Sequence, residues 1–314
     1  MKYFIFLLAT LAITLSSCLH RVKQDANTRN ASFELSNYQY LDVQDSLKMA
    51  YLDLGNPEGD IVLLMHGEPN YSYVYRNIAP NLIKEGYRVI IPDLIGFGYS
   101  SKPRDEEIIS YSNHTKWLTQ FIDQLQLNNI RLFAHDWGAM LTLRIVAGQP
   151  IRFQKVAISY GYLFEGTETI PESFKGFIAY AKNDSSFSPG NIMNWGSNIS
   201  LADSIVQKYN QPFQKISDYR AVRKFPSLIP QQSSDKEAII NQKLNKKLAL
   251  FDKPFITIWG NHKDEMWIGK DTLLQEMVEG AKDQTHYTLE SNHFIQEDQA
   301  EQLSAILIDF FNAN

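Results

Sequence analysis

Three side chains far apart in the chain, Asp136, Asp264 and His293, have the types and the order needed for hydrolysis through a covalent ester. Asp136 stands in Arg131-Leu-Phe-Ala-His-Asp136-Trp-Gly-Ala, on the turn between a buried apolar run and a helical segment whose apolar face is Met140, Leu141, Leu143 and Ile145. A strand–turn–helix of this kind presents a nucleophile, which is Ser where the turn reads G-x-S-x-G. Here the slot holds Asp. A carboxylate is already ionised at neutral pH, so it displaces a leaving group from saturated carbon with no base to activate it. Taken alone, Asp136 reads equally well as the N-cap of the following helix.

An alkyl-Asp ester must then be hydrolysed, which requires a base for water and N–H donors for the oxyanion. The expected donors are two backbone N–H groups, one on Trp137 and one on Glu68 in the loop His66-Gly67-Glu68-Pro69. The base is expected after the last strand, where Tyr287-Thr-Leu-Glu-Ser-Asn-His293-Phe supplies His293. His286 is a rival, but it sits at the start of the same strand pattern. The orienting acid is expected in Phe255-Ile-Thr-Ile-Trp-Gly-Asn-His-Lys-Asp264, with Glu165 and Glu265 as less well placed substitutes. The order Asp136, Asp264, His293 is nucleophile, acid, base. A metal site could be drawn from His135-Asp136 and His262-x-Asp264, but no H-E-x-x-H helix or dense His cluster supports it. No metal and no cofactor are expected.

Positioning these groups takes a sheet. Short apolar runs recur at Ile61 to Met65, Arg88 to Ile91, Ile130 to Ala134, Lys155 to Ile158 and Phe255 to Trp259, each soon followed by Gly, Pro, Asp or His. Helical stretches lie between them, such as Ser112 to Leu127, where Trp117, Leu118, Phe121, Ile122 and Leu125 share one face. Strand alternating with helix argues for a parallel sheet covered on both sides. Phe33 to Leu54 reads as an antiparallel hairpin with Asp45 and Ser46 near its turn. From Glu165 to about Gln232 strand runs vanish and Pro, Gly, Asn and Ser punctuate short helical pieces, as in an inserted cap. The rhythm resumes at Leu248 and closes with a helix from Asp298 to Phe311. The expected organisation is a core over 33–164 and 233–314, with a cap over 165–232.

The chain opens with one Lys and an apolar run, Tyr3 to Leu15, too short to span a bilayer comfortably and laid out as a secretory signal. Residues 1–17 are expected to be that signal and 18–32 a polar tether. Leu15-Ser16-Ser17-Cys18 resembles the lipobox of bacterial lipoproteins, which implies export and acylation of Cys18, for instance with palmitate, at a periplasmic or cell-surface membrane face. Cys18 is the one cysteine, so no intramolecular disulfide forms. Forty-four per cent hydrophobic content is ample for a core without one. The formal charge of −5 carries no basic cluster, which leaves a nucleic-acid partner without an electrostatic footprint.

Over nearly all of Phe33 to Phe311 the sequence resembles the haloalkane dehalogenases. The segments that carry this are His66-Gly-Glu-Pro-Asn-Tyr-Ser-Tyr-Val-Tyr-Arg76, Pro92-Asp-Leu-Ile-Gly-Phe-Gly-Tyr-Ser-Ser-Lys-Pro103, His135-Asp-Trp-Gly138, Val222-Arg-Lys-Phe-Pro226 and His293-Phe-Ile-Gln-Glu297. The resemblance implies an α/β-hydrolase fold: a mostly parallel eight-stranded sheet flanked by helices, with an inserted helical cap. It implies a small apolar haloalkane as substrate, Asp136 as the residue alkylated, His293 as activator of water, Asp264 as its partner, and Trp137 as halide donor. Trp suits that role, since its indole offers a donor and no acceptor. Glu68 together with Arg223-Lys-Phe-Pro is similar to the subfamily typified by the dichloroethane-degrading enzyme. That subfamily draws a second halide-binding Trp from its cap, whereas this cap is shorter and its one Trp, Trp195, reads as a packing position. The second donor is left unassigned.

Epoxide hydrolases share the fold, the Asp nucleophile and the H-D-W-G elbow, and would need two cap tyrosines; Tyr180, Tyr209 and Tyr219 are available. Fluoroacetate dehalogenases place Arg directly after the nucleophile, where this chain has Trp137. Carboxylesterase chemistry lacks its Ser. A non-catalytic, membrane-tethered binding protein that kept the shell is the reading from a different class.

Overall fold

The protein is described from a computed structural model, which covers residues 33–44, 46–262 and 264–313. The expected signal, the tether, Cys18 and Asp45 lie outside the described residues. Eight strands form one sheet: β1 (Gln39–Gln44), β2 (Leu47–Gly55), β3 (Ile61–Met65), β4 (Arg88–Pro92), β5 (Ile130–His135), β6 (Phe153–Ser159), β7 (Phe255–Gly260) and β8 (Tyr287–Leu289). Their order across the sheet is β1-β2-β4-β3-β5-β6-β7-β8. The β1–β2 and β2–β4 pairs are antiparallel, and the remaining pairs are parallel.

Strands buried on both faces need no polar alternation, and β5 is buried at all six positions. The helices are α1 (Ala79–Lys84), α2 (Tyr111–Gln124) and α3 (Trp137–Gly148) before the excursion, then α4 (Glu172–Asn183), α5 (Pro189–Trp195), α6 (Asp203–Asn210), α7 (Arg220–Lys224) and α8 (Lys236–Leu248) between β6 and β7, and finally α9 (Lys270–Met277), α10 (Ile295–Asp298) and α11 (Ala300–Asn312). Of the five in the excursion, α8 returns to the sheet layer. Arg144 on α3 pairs with Glu237 on α8 at 2.7 Å and donates to Asn241 Oδ1 at 2.8 Å.

Two helix ends differ from the sequence reading. The helix expected to run to Leu127 closes at Gln124, because Gln126 adopts φ +52, which a right-handed helix cannot contain. The closing helix begins as a separate turn, α10, and breaks at Gln299, whose φ of −137 and ψ of 40 lie outside the helical region. Among the described residues no helix is long and apolar enough to cross a membrane.

The strand order reverses at β3, with β4 on one side and β5 on the other. In open α/β sheets the crevice outside the strand C-termini at such a point is where ligands bind. Met65 pairs with Ala134, so the loops leaving β3 and β5 emerge side by side. Those loops carry Glu68 and Asp136, and the loops after β7 and β8 carry Asp264 and His293.

Candidate active site

Asp136 is held on a strained turn. Its φ of +53 with ψ −126 is an unfavourable combination for an L residue, and its side chain makes no cap bond to α3. The N-cap role open to it in the sequence is therefore not the one it takes. A strained backbone of this kind persists only when its surroundings fix it, and two glycines do so here. A Cβ on Gly138 would lie 2.3 Å from the His66 carbonyl oxygen, and a Cβ on Gly67 would lie 2.4 Å from Asp136 Oδ1. Only hydrogen at both places lets the elbow and the β3 loop close on each other.

That approach brings backbone N–H groups onto the carboxylate. Glu68 N–H donates to Asp136 Oδ1 at 2.8 Å, and Trp137 N–H bonds to the same carboxylate. Burial pushes the Asp136 carboxyl up, while His293 and these two donors pull it back down. Oδ2 faces His293 Nε2 at 3.7 Å, and His293 Nδ1 meets Asp264 Oδ2 at 3.0 Å. The three side chains therefore touch in series. His293 is further bracketed by Tyr160, with ring centroids 4.6 Å apart, and Tyr160 OH receives Gly260 N–H at 3.0 Å.

The rival residues are engaged elsewhere. His286 Nδ1 accepts from Thr257 N–H at 3.0 Å, at the other end of β7. Glu265 accepts from Ser173, and Glu165 accepts from Asn245. Among the described residues no group of three metal-ligating side chains forms.

A cavity of 320 Å³ opens over the carboxylate, within the size range of small-molecule sites. Asp136, Glu68, Trp137, Asp264 and His293 line it together with Phe174, Phe177, Ile192, Pro226, Met266 and Phe294. Apart from the reacting groups and Ser173, the wall is thus mainly apolar and aromatic. Of the four cap candidates, Trp195 lines this cavity but is 62% exposed, so its indole sits at the mouth. The three cap tyrosines do not line it. Tyr209 is fully buried and bonds Glu297 beside Arg76, Tyr219 OH points at the Phe213 carbonyl, and Tyr180 packs among Phe177, Phe187 and Trp195.

Sequence reasoning missed Trp267. It is 3% exposed, lines the cavity, and packs edge-on to Phe164 at 5.5 Å and tilted to His293 at 6.4 Å. Its place three residues after the acid was the available signal, since Trp267 N–H closes a turn onto the Asp264 carbonyl. The aromatic pair Phe174 and Phe177 on α4 was missed for a different reason: helical spacing reads equally well as core.

Residues 60–190 match a family described as alpha/beta hydrolase fold. A haloalkane dehalogenase from Psychrobacter cryohalolentis is 36% identical over 291 residues, covering 92% of this chain and 96% of that one. Another from Mycolicibacterium paratuberculosis is 34% identical, covering 87% of this chain and 92% of that one. Among solved structures, the tetrameric haloalkane dehalogenase DpaA from Paraglaciecola agarilytica superposes with a TM-score of 0.81 at 25% identity, over 88% of this chain and 93% of that one. With relatives of that identity over most of its length, this chain belongs to the haloalkane dehalogenase family.

Proposed function

We propose that this protein hydrolyses haloalkanes to an alcohol and a halide through an alkyl ester on Asp136. The observation that carries the reading is the series Asp136–His293–Asp264 opening into an apolar 320 Å³ cavity walled on one side by Trp137. Asp136 Oδ2, the oxygen opposite the one that holds the Glu68 N–H, attacks the carbon as the carbon–halogen bond breaks and the electron pair leaves with the halide. The Trp137 indole N–H donates to that anion. Water then adds to Asp136 Cγ as His293 Nε2 takes its proton, and the developing charge falls on Oδ1, where Glu68 and Trp137 N–H groups hold it. The Cγ–O bond to the alkyl group breaks, the alcohol leaves with the proton from His293, and Asp136 loses a proton to solvent.

Epoxide opening as that family performs it would need two cap tyrosines over the cavity, and Tyr180, Tyr209 and Tyr219 are turned to other partners and do not line it. Halide release from chloro-, bromo- and iodoalkanes, run beside diol formation from styrene oxide, tests the choice. Halide without diol is expected; diol from the oxide alone would overturn the reading. Asp136→Asn separates enzyme from binder, because a binder keeps its ligand affinity and shows no turnover before or after the change.

The lipobox-like segment supports export and tethering through an acylated Cys18. Cys18→Ser is expected to move the protein from the membrane fraction to the soluble one, and unchanged partitioning would exclude the lipid.

A further inference from the structure

Tyr160 is a large residue in an awkward place. It is the first residue after β6, its φ of +47 is one that a bulky L side chain seldom adopts, and it is 1% exposed. Such a conformation persists only where the surrounding contacts impose it, and here those contacts run to the acid and the base.

From β6 the side chain reaches over the end of β7 to the loop after β8. The hydroxyl receives Gly260 N–H at 3.0 Å and donates to the Asn292 carbonyl at 3.2 Å, so it bridges the strand that leads to Asp264 and the residue before His293. The ring lies against the imidazole, with centroids 4.6 Å apart. Gly260 leaves room for this: a Cβ there would lie 2.5 Å from the Tyr160 hydroxyl and 2.3 Å from the Ser291 carbonyl oxygen. Burial pushes the Tyr160 phenol up, so the hydroxyl keeps the proton it donates. The two loops also meet through Asn261 N–H on the Leu289 carbonyl and His262 N–H on the Ser291 carbonyl, but those bonds end short of His293, whereas Tyr160 touches its ring.

Resting on the dehalogenase reading, we infer that Tyr160 is a positioning residue for the second half-reaction: its hydroxyl bridge and its ring together seat His293 on Asp264. Asp136 Oδ2 attacks carbon without His293, so the first half-reaction does not depend on that seat. Removing a proton from water does, because His293 Nε2 must face the ester while Nδ1–H stays on Asp264. A shift of about 1 Å in such a group costs on the order of 10²-fold in rate. His135 Nε2–H donates to the His293 carbonyl at 2.8 Å and ties the base to β5, the strand of the nucleophile; Tyr160 ties it to β7, the strand of the acid.

Tyr160→Phe keeps the ring and removes both hydrogen bonds. Rapid mixing with a bromoalkane separates the half-reactions: the bromide burst should keep its wild-type rate, while decay of the alkyl ester, followed by intact-protein mass, slows about tenfold. Trp259 stacks on the Tyr160 ring at 5.3 Å, so Trp259→Phe trims the packing, leaves the bridge, and should leave both rates at wild type. NMR titration of the His293 imidazole, assigned by its absence in His293→Gln, reads the same contact without turnover. Burial lowers the His293 pKa, the Asp264 hydrogen bond and the charges of Asp264 and Asp136 raise it overall, and burial keeps the adjoining His135 neutral. A looser seat on Asp264 in Tyr160→Phe should therefore move the titration to lower pH, by roughly half a pH unit. A thermal melt checks folding, and Tyr160→Asn, whose side chain suits φ +47, is read in the same way. Wild-type ester decay or an unmoved titration in folded Tyr160→Phe, equal slowing of both half-reactions, or the same slowing in Trp259→Phe would each overturn the inference. A wild type that releases no halide from any haloalkane, with a His293 titration that still moves in Tyr160→Phe, would leave the positioning role standing and overturn the proposed activity.

Discussion

Asp264 Oδ2 lies 3.0 Å from His293 Nδ1, and this contact decides which imidazole nitrogen turns to Asp136. The Nδ1–H is committed to the carboxylate, so Nε2 carries the lone pair that meets water. Burial alone would lower the His293 pKa, but the hydrogen bond that Asp264 accepts and the charges of Asp264 and Asp136 together raise it above 6.5. His293 works as a base only when neutral, so turnover falls as the pH drops through that raised value.

Asp264→Asn removes the charge that raises His293 and lets the amide N–H donate to Nδ1, which holds the wrong tautomer. The acid limb of the pH–rate profile is expected to move to lower pH while the maximal rate drops by about 10²–10⁴-fold. Rate against pH for a bromoalkane checks both. An unmoved limb would mean that Asp264 does not set the base.

His293→Gln leaves the first step intact and stops the second. Asp136 Oδ2 needs no base to attack carbon, whereas the water that opens the ester relies on His293, which faces that oxygen. Intact-protein mass after exposure to a bromoalkane should show one added alkyl group, located on Asp136 by peptide mapping. Unmodified protein would count against the covalent route.

How much of this was legible in the chain follows from how local each signal is. Asp136, Asp264 and His293 each follow an apolar run by a few residues, and strand order alone places such positions on one edge of a parallel sheet. Glu68 could be read the same way, as the loop after β3. The cap could not be read this way, because its short helices carry no register that says which face looks inward. Tyr209 shows the difficulty: its type suits an acid over a cavity, yet it is drawn away by Glu297, 88 residues later, through a contact that no local pattern encodes. Trp267 escaped for the opposite reason, being close to the acid in sequence while its ring direction depends on packing against Tyr160 and Phe164.

Glu68 also links stability to pH. Its folded pKa is raised above the ordinary 4.5, so the folded protein retains a proton that the unfolded chain gives up. Stability from this source is complete below 4.5 and is lost as pH rises toward the folded value, by about 1.4 kcal/mol per pH unit within that window. Glu68→Gln cannot ionise. Its stability relative to wild type should therefore rise with pH above 4.5 in urea unfolding, until the folded value is reached. A constant difference would show that Glu68 is not neutral in the folded state.

Arg76 and Glu297 form the buried pair that replaces Tyr209 chemistry with Tyr209 structure. Nη1 meets Oε1 at 2.6 Å and Nη2 meets Oε2 at 2.7 Å, a planar fork, with Tyr209 OH on the same carboxylate. The Glu297 side chain is 2% exposed, so a carboxylate left there without its cation has little water to turn to. Arg76→Met is expected to cost about 3–5 kcal/mol, because breaking such a pair strands a buried charge. Arg76→Met with Glu297→Leu should cost less than the sum of the single changes, since each removes the other's penalty. The same carboxylate joins α6, which carries Tyr209, to the α10 turn just after His293, so the single variant should also lower kcat. Urea midpoints for the four proteins of the cycle, with bromoalkane turnover, provide the test: additive losses would mean that the fork is not one unit, and a full kcat in Arg76→Met would mean that it does not position the base.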